Sequence, residues 1–551
     1  MSRGFLFGRA RIGRGTVSGA VVLILLAALT TALLSAVPGV AGPQAGPVAR
    51  TAAGSVRGTS THDVAHYRGV PYAAPPVGTR RWRPPQPARP WSGVRSATRS
   101  GPACAQGAGM PDASEDCLYL DVTVPHPERT GHRPVMVWLH GGGLSEGVGS
   151  DYDPTRLAVQ GDVVVVTVDF RLGIFGFFGH AGLPGSGTFG LADQQAALRW
   201  VRQNIAAFGG DRHNVTLFGQ SGGAVATCAQ LTSPSSAGLF DKAILESASC
   251  DFGWTKSALT PGGAAGSFFH PVADVRQRGA TAAGELKCDR SSDRAELDCL
   301  RKLDTHQFDD QDPEFAAAAT GTPLLPLPPD QALRLGAFHR VPVISGSTHD
   351  EHRLTAGILE LATIPITAEQ YPGLLKESFG DDAPAVLRRY PLSRYGGNAA
   401  LAWSAVFTDR IWVCTQDQAA SAMSRRVPTY SYEFADEHAL PFVDLPADFD
   451  PGASHGSELP SLFDLAGRPT IGGDRYTDDQ RRLAGTMIGY WTTFARTGNP
   501  NRAGLPTWPR AVPGAADSRA LRLAPGKGGI APVDAYAEHQ CAAWHVGTDL
   551  P

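Results

Sequence analysis

The chain has 551 residues, of which 42% are hydrophobic and 18% are charged, and its formal net charge at pH 7 is -3. A mildly acidic chain has no electrostatic footprint for nucleic acid or for an anionic membrane surface, so neither is expected as a partner.

The first 41 residues have the pattern of a secretory signal peptide. Four arginines precede an apolar core at residues 20–34, and small residues follow up to Ala41. An uncleaved membrane anchor is the alternative, but this core is shorter than the ~20 residues that a spanning helix needs. We predict cleavage near Ala41 and a secreted mature chain, residues 42–551, whose formal charge is -7 after loss of the four arginines.

Length and cysteine content leave open the number of domains and the state of two cysteines. About 510 residues would remain after cleavage, enough for several domains or for one enlarged α/β domain. Cys228 and Cys250 either pair with each other or serve as small buried hydrophobic residues. Export makes oxidation of the cysteines to disulfides expected. The plausible pairs are Cys104 with Cys117, Cys288 with Cys299, and Cys414 with Cys541, and the sequence alone also permits other disulfide connectivities.

Short β-rich runs alternate with helical patterns along the chain. The runs lie at residues 135–139, 163–168, 215–218, 243–245, 341–344 and 429–434. One intervening helix is marked by Leu191, Leu198, Val201 and Ile205, and it ends before Gly209. This alternation predicts a mostly parallel sheet covered by helices, and in such sheets the reactive groups lie on loops at the carboxyl ends of strands.

Ser221 is the predicted nucleophile. It lies in Gly219-Gln220-Ser221-Gly222-Gly223, between the buried run at 215–218 and a helix predicted from Ala224. A sharp strand-to-helix turn strains the backbone and leaves no room for side chains two positions before or after the serine, which explains the glycines. By itself the pattern is weak, since a chain with 64 glycines can form an ordinary glycine-rich turn at this spacing.

A serine nucleophile requires donors for the oxyanion that forms during attack. The run at 135–139 leads into His140-Gly141-Gly142-Gly143, a turn whose backbone N–H groups can approach a substrate carbonyl. Gly142 and Gly143, together with the N–H of Gly222, are the predicted donors.

The serine also requires a base and an acid that orients the base. His455 follows the run at 429–434 within a loop of small residues, and Asp350 and Glu351 follow the run at 341–344. The residues alone do not decide between the two carboxylates. Serine, acid and histidine in this chain order is the order of α/β-hydrolases and differs from that of the chymotrypsin-like and subtilisin-like proteases.

A metal site is the competing interpretation of His349-Asp350-Glu351-His352. Two histidines and two carboxylates are close in sequence there, but their spacing on a loop fits no common zinc pattern. We therefore predict no metal and no cofactor.

With these residues in place, the sequence resembles the type-B carboxylesterase and lipase family, which includes the cholinesterases. The resemblance covers most of residues 48–544, and its motifs are FGGDRHNVTLFGQSGG at 208–223, EDCLYLDV at 115–122, YRGVPYA at 67–73, DFRLG at 169–173, GLADQQ at 190–195 and GYW at 489–491.

The resemblance implies a single α/β-hydrolase domain over residues 42–551, with enlarged loop and helical insertions. It implies Ser221 as nucleophile, Glu351 rather than Asp350 as acid, and His455 as base. It further implies Gly142, Gly143 and Gly222 as the oxyanion hole, Ser247 as a residue that supports the acid from behind, and the three disulfides Cys104–Cys117, Cys288–Cys299 and Cys414–Cys541.

Four departures from the family pattern carry information. Gln220 replaces the usual glutamate before the nucleophile, so a negative charge beside the reacting centre is missing. Only twelve residues, none of them aromatic, separate Cys104 from Cys117, whereas in cholinesterases this loop is long and carries a choline-binding aromatic residue. Leu144 replaces an aromatic residue in the pocket wall, and His352 replaces glycine after the acid.

These features predict a secreted serine carboxylesterase that hydrolyses neutral esters in two steps through an acyl-enzyme, with no metal or cofactor. Lipase, polyester or toxin esterase, and carbamate or amide hydrolase use the same residues and stay open. A non-catalytic binding module with this fold is disfavoured, because it has no reason to keep the serine, acid, histidine and glycines together.

Overall fold

The computed structural model describes residues 46–107, 110, 112–127, 131–512 and 520–544, so the predicted signal peptide and its cleavage site lie outside the described residues. Across the described part of the chain, one sheet of eleven strands contains, in spatial order, Ile530–Val533, Ala520–Leu523, Thr429–Phe434, Val343–Thr348, Lys242–Glu246, Gly210–Gln220, Arg133–Leu139, Val164–Val168, Tyr119–Pro125, Val64–Pro71 and Thr59–Ser60.

The sheet is parallel in its centre and antiparallel at both edges. Every pairing from Ala520–Leu523 across to Val164–Val168 is parallel. The pairings beyond those two strands are antiparallel. The parallel block brings the carboxyl ends of the strands that precede Gly141, Ser221, Ser247 and Glu351 to one edge, where a site in such a sheet is expected.

Helices cover the sheet and also form a large insertion. The α-helices are Thr155–Gly161, Gly173–Phe177, Phe189–Asn204, Gly222–Thr232, Val272–Glu285, Asp293–Leu300, Pro329–Leu335, Arg353–Leu361, Tyr371–Phe379, Ala383–Arg389, Ala399–Phe407, Cys414–Ser424, Asp478–Thr497 and Ala535–Glu538. Five of them lie between the neighbouring strands Val343–Thr348 and Thr429–Phe434. A π-helical turn, Thr408–Val413, joins two of these five.

Smaller sheets stabilise the loops around this core. They pair Val48–Arg50 with Ser55–Arg57 and the latter with Val94–Ser96, Tyr152–Asp153 with Asp464–Leu465, Gly253–Trp254 with Gly266–Ser267, and Phe269–Pro271 with Ala318–Thr320.

The central strands form because they are rich in β-branched and aromatic side chains that are buried on both faces. All five residues of Val164–Val168 and all seven of Arg133–Leu139 are buried. A sheet covered on both sides by helices needs such continuous apolar runs rather than an alternating pattern. Observed strand ends differ from the predicted ones by a few residues, most of all at Gly210–Gln220, which starts five residues before the predicted run.

All eight cysteines form disulfides. Three join the predicted pairs, Cys104–Cys117, Cys288–Cys299 and Cys414–Cys541, and the fourth joins Cys228 to Cys250, the pair that the sequence left open. Cys414–Cys541 spans 127 residues and closes the longest loop, so it restricts the unfolded chain most.

Candidate active site

Ser221 lies at the sharp turn between strand Gly210–Gln220 and helix Gly222–Thr232. Its backbone has φ 56° and ψ -123°, a strained conformation for a residue with a side chain. Its amide donates to the Glu246 carbonyl at 2.9 Å, and its carbonyl accepts from the amides of Ala224 and Val225, so the adjacent strand and the helix hold the turn.

The flanking glycines are sterically required. A Cβ on Gly219 would lie 2.6 Å from the Gly223 carbonyl carbon, and one on Gly223 would lie 2.0 Å from the Leu139 oxygen. Real Cβ atoms do not approach backbone this closely, so both positions exclude any side chain, as the sequence pattern suggested.

The predicted oxyanion donors lie next to one another at this turn. A Cβ on Gly222 would lie 2.7 Å from the Gly143 nitrogen, and one on Gly141 would lie 3.4 Å from Ser221 Cβ. Gly142 and Gly143 have φ values of 99° and 61°, which glycine adopts without strain. The glycine turn therefore packs directly against the start of the nucleophile helix.

His455 and Glu351 form a short hydrogen bond. The imidazole Nδ1 donates to Glu351 Oε2 at 2.6 Å, and Glu351 Oε1 accepts from the Thr348 amide at 2.9 Å. The Glu351 side chain is fully buried, whereas 12% of the His455 side chain is exposed. Asp350 points elsewhere, to His349 and Arg353, so Glu351 is the carboxylate that reaches the histidine.

The second nitrogen of His455 is in contact with a neutral amide. Gln220 Nε2 donates to His455 Nε2 at 3.2 Å. This bond requires an unprotonated Nε2, which agrees with a neutral imidazole whose proton is on Nδ1 and is donated to Glu351. Burial by itself would lower the pKa of His455, but the charges of Glu351 and, to a smaller extent, Glu458 raise it above its ordinary value. The imidazole is thus poised to accept a proton at Nε2.

Ser247 and Glu458 form a second buried polar pair behind the acid. Ser247, with φ 54°, donates to Glu458 Oε1 at 3.3 Å, so its hydrogen bond goes to this second carboxylate rather than to Glu351. Burial, and then the charge of Glu351, raise the pKa of Glu458 to about 7. Sequence reasoning missed Glu458, although it lies three residues after His455 in the same loop.

The segment His349-Asp350-Glu351-His352 does not form a common ligand set. Glu351 faces His455, His352 faces the Ala258 carbonyl, and His349 faces Asp350 and Glu538. A different trio, His349, Glu433 and His539, has one potential ligand atom each within 4.8 Å of one another. Both nitrogens of His539 are already held by carboxylates and Arg522 pairs with Glu433, so this cluster has the charge pattern of an ion-pair network.

Comparison with known proteins identifies the family. The profile of the Carboxylesterase family matches residues 45–544. The chain belongs to this family. It is therefore a serine hydrolase that acts on carboxylic ester bonds, and its mixed sheet with flanking helices is the α/β-hydrolase fold predicted from the sequence.

Relatives of this carboxylesterase carry varied names. It is 35% identical over 488 residues to fumonisin B1 esterase of Sphingopyxis macrogoltabida, with 84% of each chain covered. It is 33% identical over 483 residues to para-nitrobenzyl esterase of Bacillus subtilis, covering 84% of this chain and 92% of the relative. It is also 33% identical over 525 residues to human cocaine esterase, covering 87% and 88%.

Among the described residues of this carboxylesterase, no helix has the length and apolar character that a membrane crossing requires.

Proposed function

We propose that this chain is an exported serine carboxylesterase that hydrolyses neutral esters through an acyl-enzyme. Ser221 is the nucleophile, His455 the general base, Glu351 the acid that orients it, and Gly142, Gly143 and Gly222 the oxyanion donors. The observation that carries the proposal is the 2.6 Å bond from His455 Nδ1 to Glu351, because it leaves the other imidazole nitrogen as the one that can accept a proton.

The reaction has two steps in this proposal. His455 Nε2 takes the Ser221 proton as Oγ attacks the ester carbonyl, and the imidazolium then protonates the departing alcohol. A water molecule, activated by His455 in the same way, attacks the acyl-serine and releases the carboxylic acid. The Gln220 amide must yield Nε2 to the serine hydroxyl before the first step.

The preference for neutral esters follows from the residue beside the nucleophile. Gln220 is 3% exposed and contacts His455, so a substrate group near the base meets an amide dipole rather than a carboxylate. The loop closed by Cys104 and Cys117 is short and has no aromatic residue to bind a quaternary ammonium group.

The proposal also covers export and domain organisation. It takes residues 1–41 as a signal peptide and residues 42–551 as one catalytic domain, in keeping with the single packed unit formed from Gly46 onward. Four disulfides fit an oxidising compartment. Intact-mass measurement of the secreted protein tests this part, and a mass that retains residues 1–41 would contradict it.

Hydrolysis of p-nitrophenyl acetate, butyrate and octanoate tests the catalytic part. Ser221→Ala should lower kcat by about 10⁵-fold or more on every ester that the wild type hydrolyses. Ser235→Ala, at a surface serine beyond the same helix, is the matched control and should keep wild-type rates. Equal loss in both variants, or activity retained in Ser221→Ala, would contradict the assignment.

The same proposed mechanism is compatible with several leaving groups on the substrate. The relatives are named for substrates as different as fumonisin B1 and cocaine, and lipase, polyester or toxin esterase, and carbamate or amide hydrolase are the alternatives. The rank order of the three p-nitrophenyl esters, followed by matched amide and carbamate substrates, distinguishes these activities.

A further inference from the structure

An indole ring packs against the His455 imidazole. The rings of Trp412 and His455 have centroids 4.5 Å apart with an interplanar angle of 47°. Trp412 is supplied by the π-helical turn Thr408–Val413, and its ring also packs edge-to-face against Phe252 at a centroid distance of 4.5 Å. Single π-helical turns are rare and occur frequently at functional sites.

His352 fixes the orientation of this indole. Trp412 Nε1 donates to His352 Nδ1 at 3.1 Å, and His352 Nε2 donates to the Ala258 carbonyl at 2.7 Å. An indole N–H can only donate and a carbonyl can only accept, so these two bonds define one neutral tautomer of His352. The Thr408 hydroxyl accepts from the His352 amide at 3.0 Å, which ties the same π-helical turn to the acid loop.

The surroundings of His352 keep it in that neutral form. Its side chain is fully buried, and the rings of Trp403 and Phe407 pack against it with centroids 4.7 and 5.4 Å away. Burial lowers the pKa of His352 to about 3, against a smaller opposing effect of the Ala258 carbonyl. A protonated His352 would lose the lone pair that accepts the indole N–H, so neutrality is a condition of this contact.

The contact acquires a chemical role when His455 accepts the serine proton. An imidazolium within about 6 Å of an indole centroid is attracted by the negative potential of the ring, and the attraction is stronger when the pair is shielded from water. Neutral imidazole gains far less from the same ring. The contact therefore stabilises the transition state more than the resting enzyme, which is the condition for raising kcat.

We propose that Trp412, oriented by neutral His352, is a positioning residue whose indole ring stabilises the catalytic imidazolium of His455, as a support separate from Glu351. The inference rests on the proposed roles of Ser221 and His455. It gives a purpose to the departure at position 352, where the related family pattern has glycine and this chain has the acceptor that its indole needs.

The pH dependence of activity provides the readout. The groups that face His455 are the carboxylates of Glu351 and Glu458, the Gln220 amide, and the neutral ring of His352. With these unchanged, removal of the indole destabilises only the protonated form of His455, so the acid limb of the kcat/KM profile should move to lower pH. Loss of burial would move it to higher pH, because burial lowers the pKa of this histidine.

Four variants separate the ring face from the indole N–H bond. Trp412→Leu removes the aromatic face and keeps an apolar cover, whereas Trp412→Phe keeps a ring without the N–H donor. His352→Asn places an amide oxygen near the position of Nδ1 as a replacement acceptor, and His352→Leu fills similar space without one. Hydrolysis of p-nitrophenyl acetate is measured from pH 5 to 9, with active enzyme counted by fluorophosphonate titration and folding checked by thermal unfolding.

Trp412→Leu should lose about five- to thirtyfold in kcat with little change in KM, and its acid limb should lie at lower pH than that of the wild type. Trp412→Phe and His352→Leu should lose about two- to fivefold, and His352→Asn should stay within about twofold of the wild type. An unmoved or upward-shifted acid limb in Trp412→Leu would overturn the inference. Equal losses in His352→Asn and His352→Leu would overturn the role of the acceptor.

Different results would contradict the proposed function and the role of Trp412. A wild type without Ser221-dependent hydrolysis contradicts the proposed function and the inference with it. A wild type that depends on Ser221 but whose Trp412→Leu variant keeps the same kcat and acid limb contradicts the inference alone. If Trp412→Leu does not fold, Trp412→Phe and the pair of His352 variants decide the question by the same readouts.

Discussion

His455 and His539 are both enclosed histidines with carboxylate partners, yet their second nitrogens meet different groups. His455 donates Nδ1 to Glu351 and has the neutral Gln220 amide at Nε2. His539 lies between Asp409, 2.6 Å from Nδ1, and Glu433, 2.8 Å from Nε2. Two carboxylates hold His539 as a fixed cation, whereas one carboxylate leaves His455 able to gain and lose a proton.

The difference separates a histidine that can catalyse from one that stabilises the fold. Burial opposes protonation of His539, but Asp409 and Glu433 raise its pKa to about 9. It connects the C-terminal segment to strand Thr429–Phe434 near the disulfide Cys414–Cys541. Proton transfer at neutral pH requires a histidine that is neutral at rest, and His455, with a single carboxylate partner, suits that task better.

Among changes to the partners of these two histidines, the largest effect should come from removing the one carboxylate that orients His455. Glu351→Gln keeps the shape of the side chain but allows the wrong imidazole tautomer, so kcat should fall by about 10³- to 10⁴-fold. Asp350→Asn is the matched control, because Asp350 faces His349 and Arg353 and should be dispensable for catalysis. Steady-state kinetics, with rates normalised to the concentration of titrated active sites, compare the two variants. A larger loss in Asp350→Asn would reassign the role of the acid to Asp350.

Replacing His539 should affect stability instead of catalysis. His539→Gln leaves Asp409 and Glu433 without their shared cation, and a pKa raised from 6.5 to about 9 corresponds to on the order of 3 kcal/mol in the free energy of unfolding. This contribution is present in full below pH 6.5 and is lost as the pH rises through about 9.

Denaturant unfolding of wild type and His539→Gln at pH 6 and pH 10 measures this contribution under non-reducing conditions. The gap between the two proteins should be largest at pH 6 and should shrink at pH 10, while kcat per titrated site stays the same. A constant gap, or one that widens with pH, would mean that His539 is not held as a cation.

A smaller effect is expected from the second carboxylate near His455. Ionised Glu458 helps to raise the pKa of His455, so Glu458→Gln should move the acid limb of kcat/KM to lower pH and change the plateau only a few-fold. Glu246→Gln is the comparison variant: burial raises the pKa of Glu246 well above its ordinary value, and Glu246 is not among the carboxylates that raise the pKa of His455. Identical profiles for both variants would exclude a role of the Glu458 charge.

The smallest effect should come from Gln220→Glu, which would place a second carboxylate beside His455. Gln220→Glu should move the acid limb to higher pH and raise the ratio of kcat/KM for acetylcholine over 3,3-dimethylbutyl acetate, its neutral isostere, by about two- to tenfold. Parallel assays of the two esters give this ratio. An unchanged ratio would show that position 220 does not set charge preference.

Local patterns predicted much of the sheet and of the proposed site. The buried runs, the glycines around Ser221 and the loops after two late strands are each readable over a few neighbouring residues. Steric exclusion at Gly219 and Gly223 is likewise a local property, so the glycine pattern, together with the strand before it and the helix after it, located the turn.

Several contacts between distant segments were not predictable. Trp412 reaches His352 across 60 residues and lies in a helical insertion whose sequence carries no catalytic pattern. Glu458 has no distinguishing local pattern in the sequence, and only the fold brings it next to Ser247, which is 211 residues away. The Cys228–Cys250 pair was equally undecided, because both readings of these cysteines place them in the core.

Covalent capture by a fluorophosphonate, followed by peptide mapping, tests the proposed site most directly. The wild type should gain one adduct at Ser221, Ser221→Ala none, and His539→Gln should react at the wild-type rate while Glu351→Gln reacts much more slowly. An adduct on another residue, or equal rates in Glu351→Gln and the wild type, would contradict the proposed roles of Ser221, Glu351 and His455.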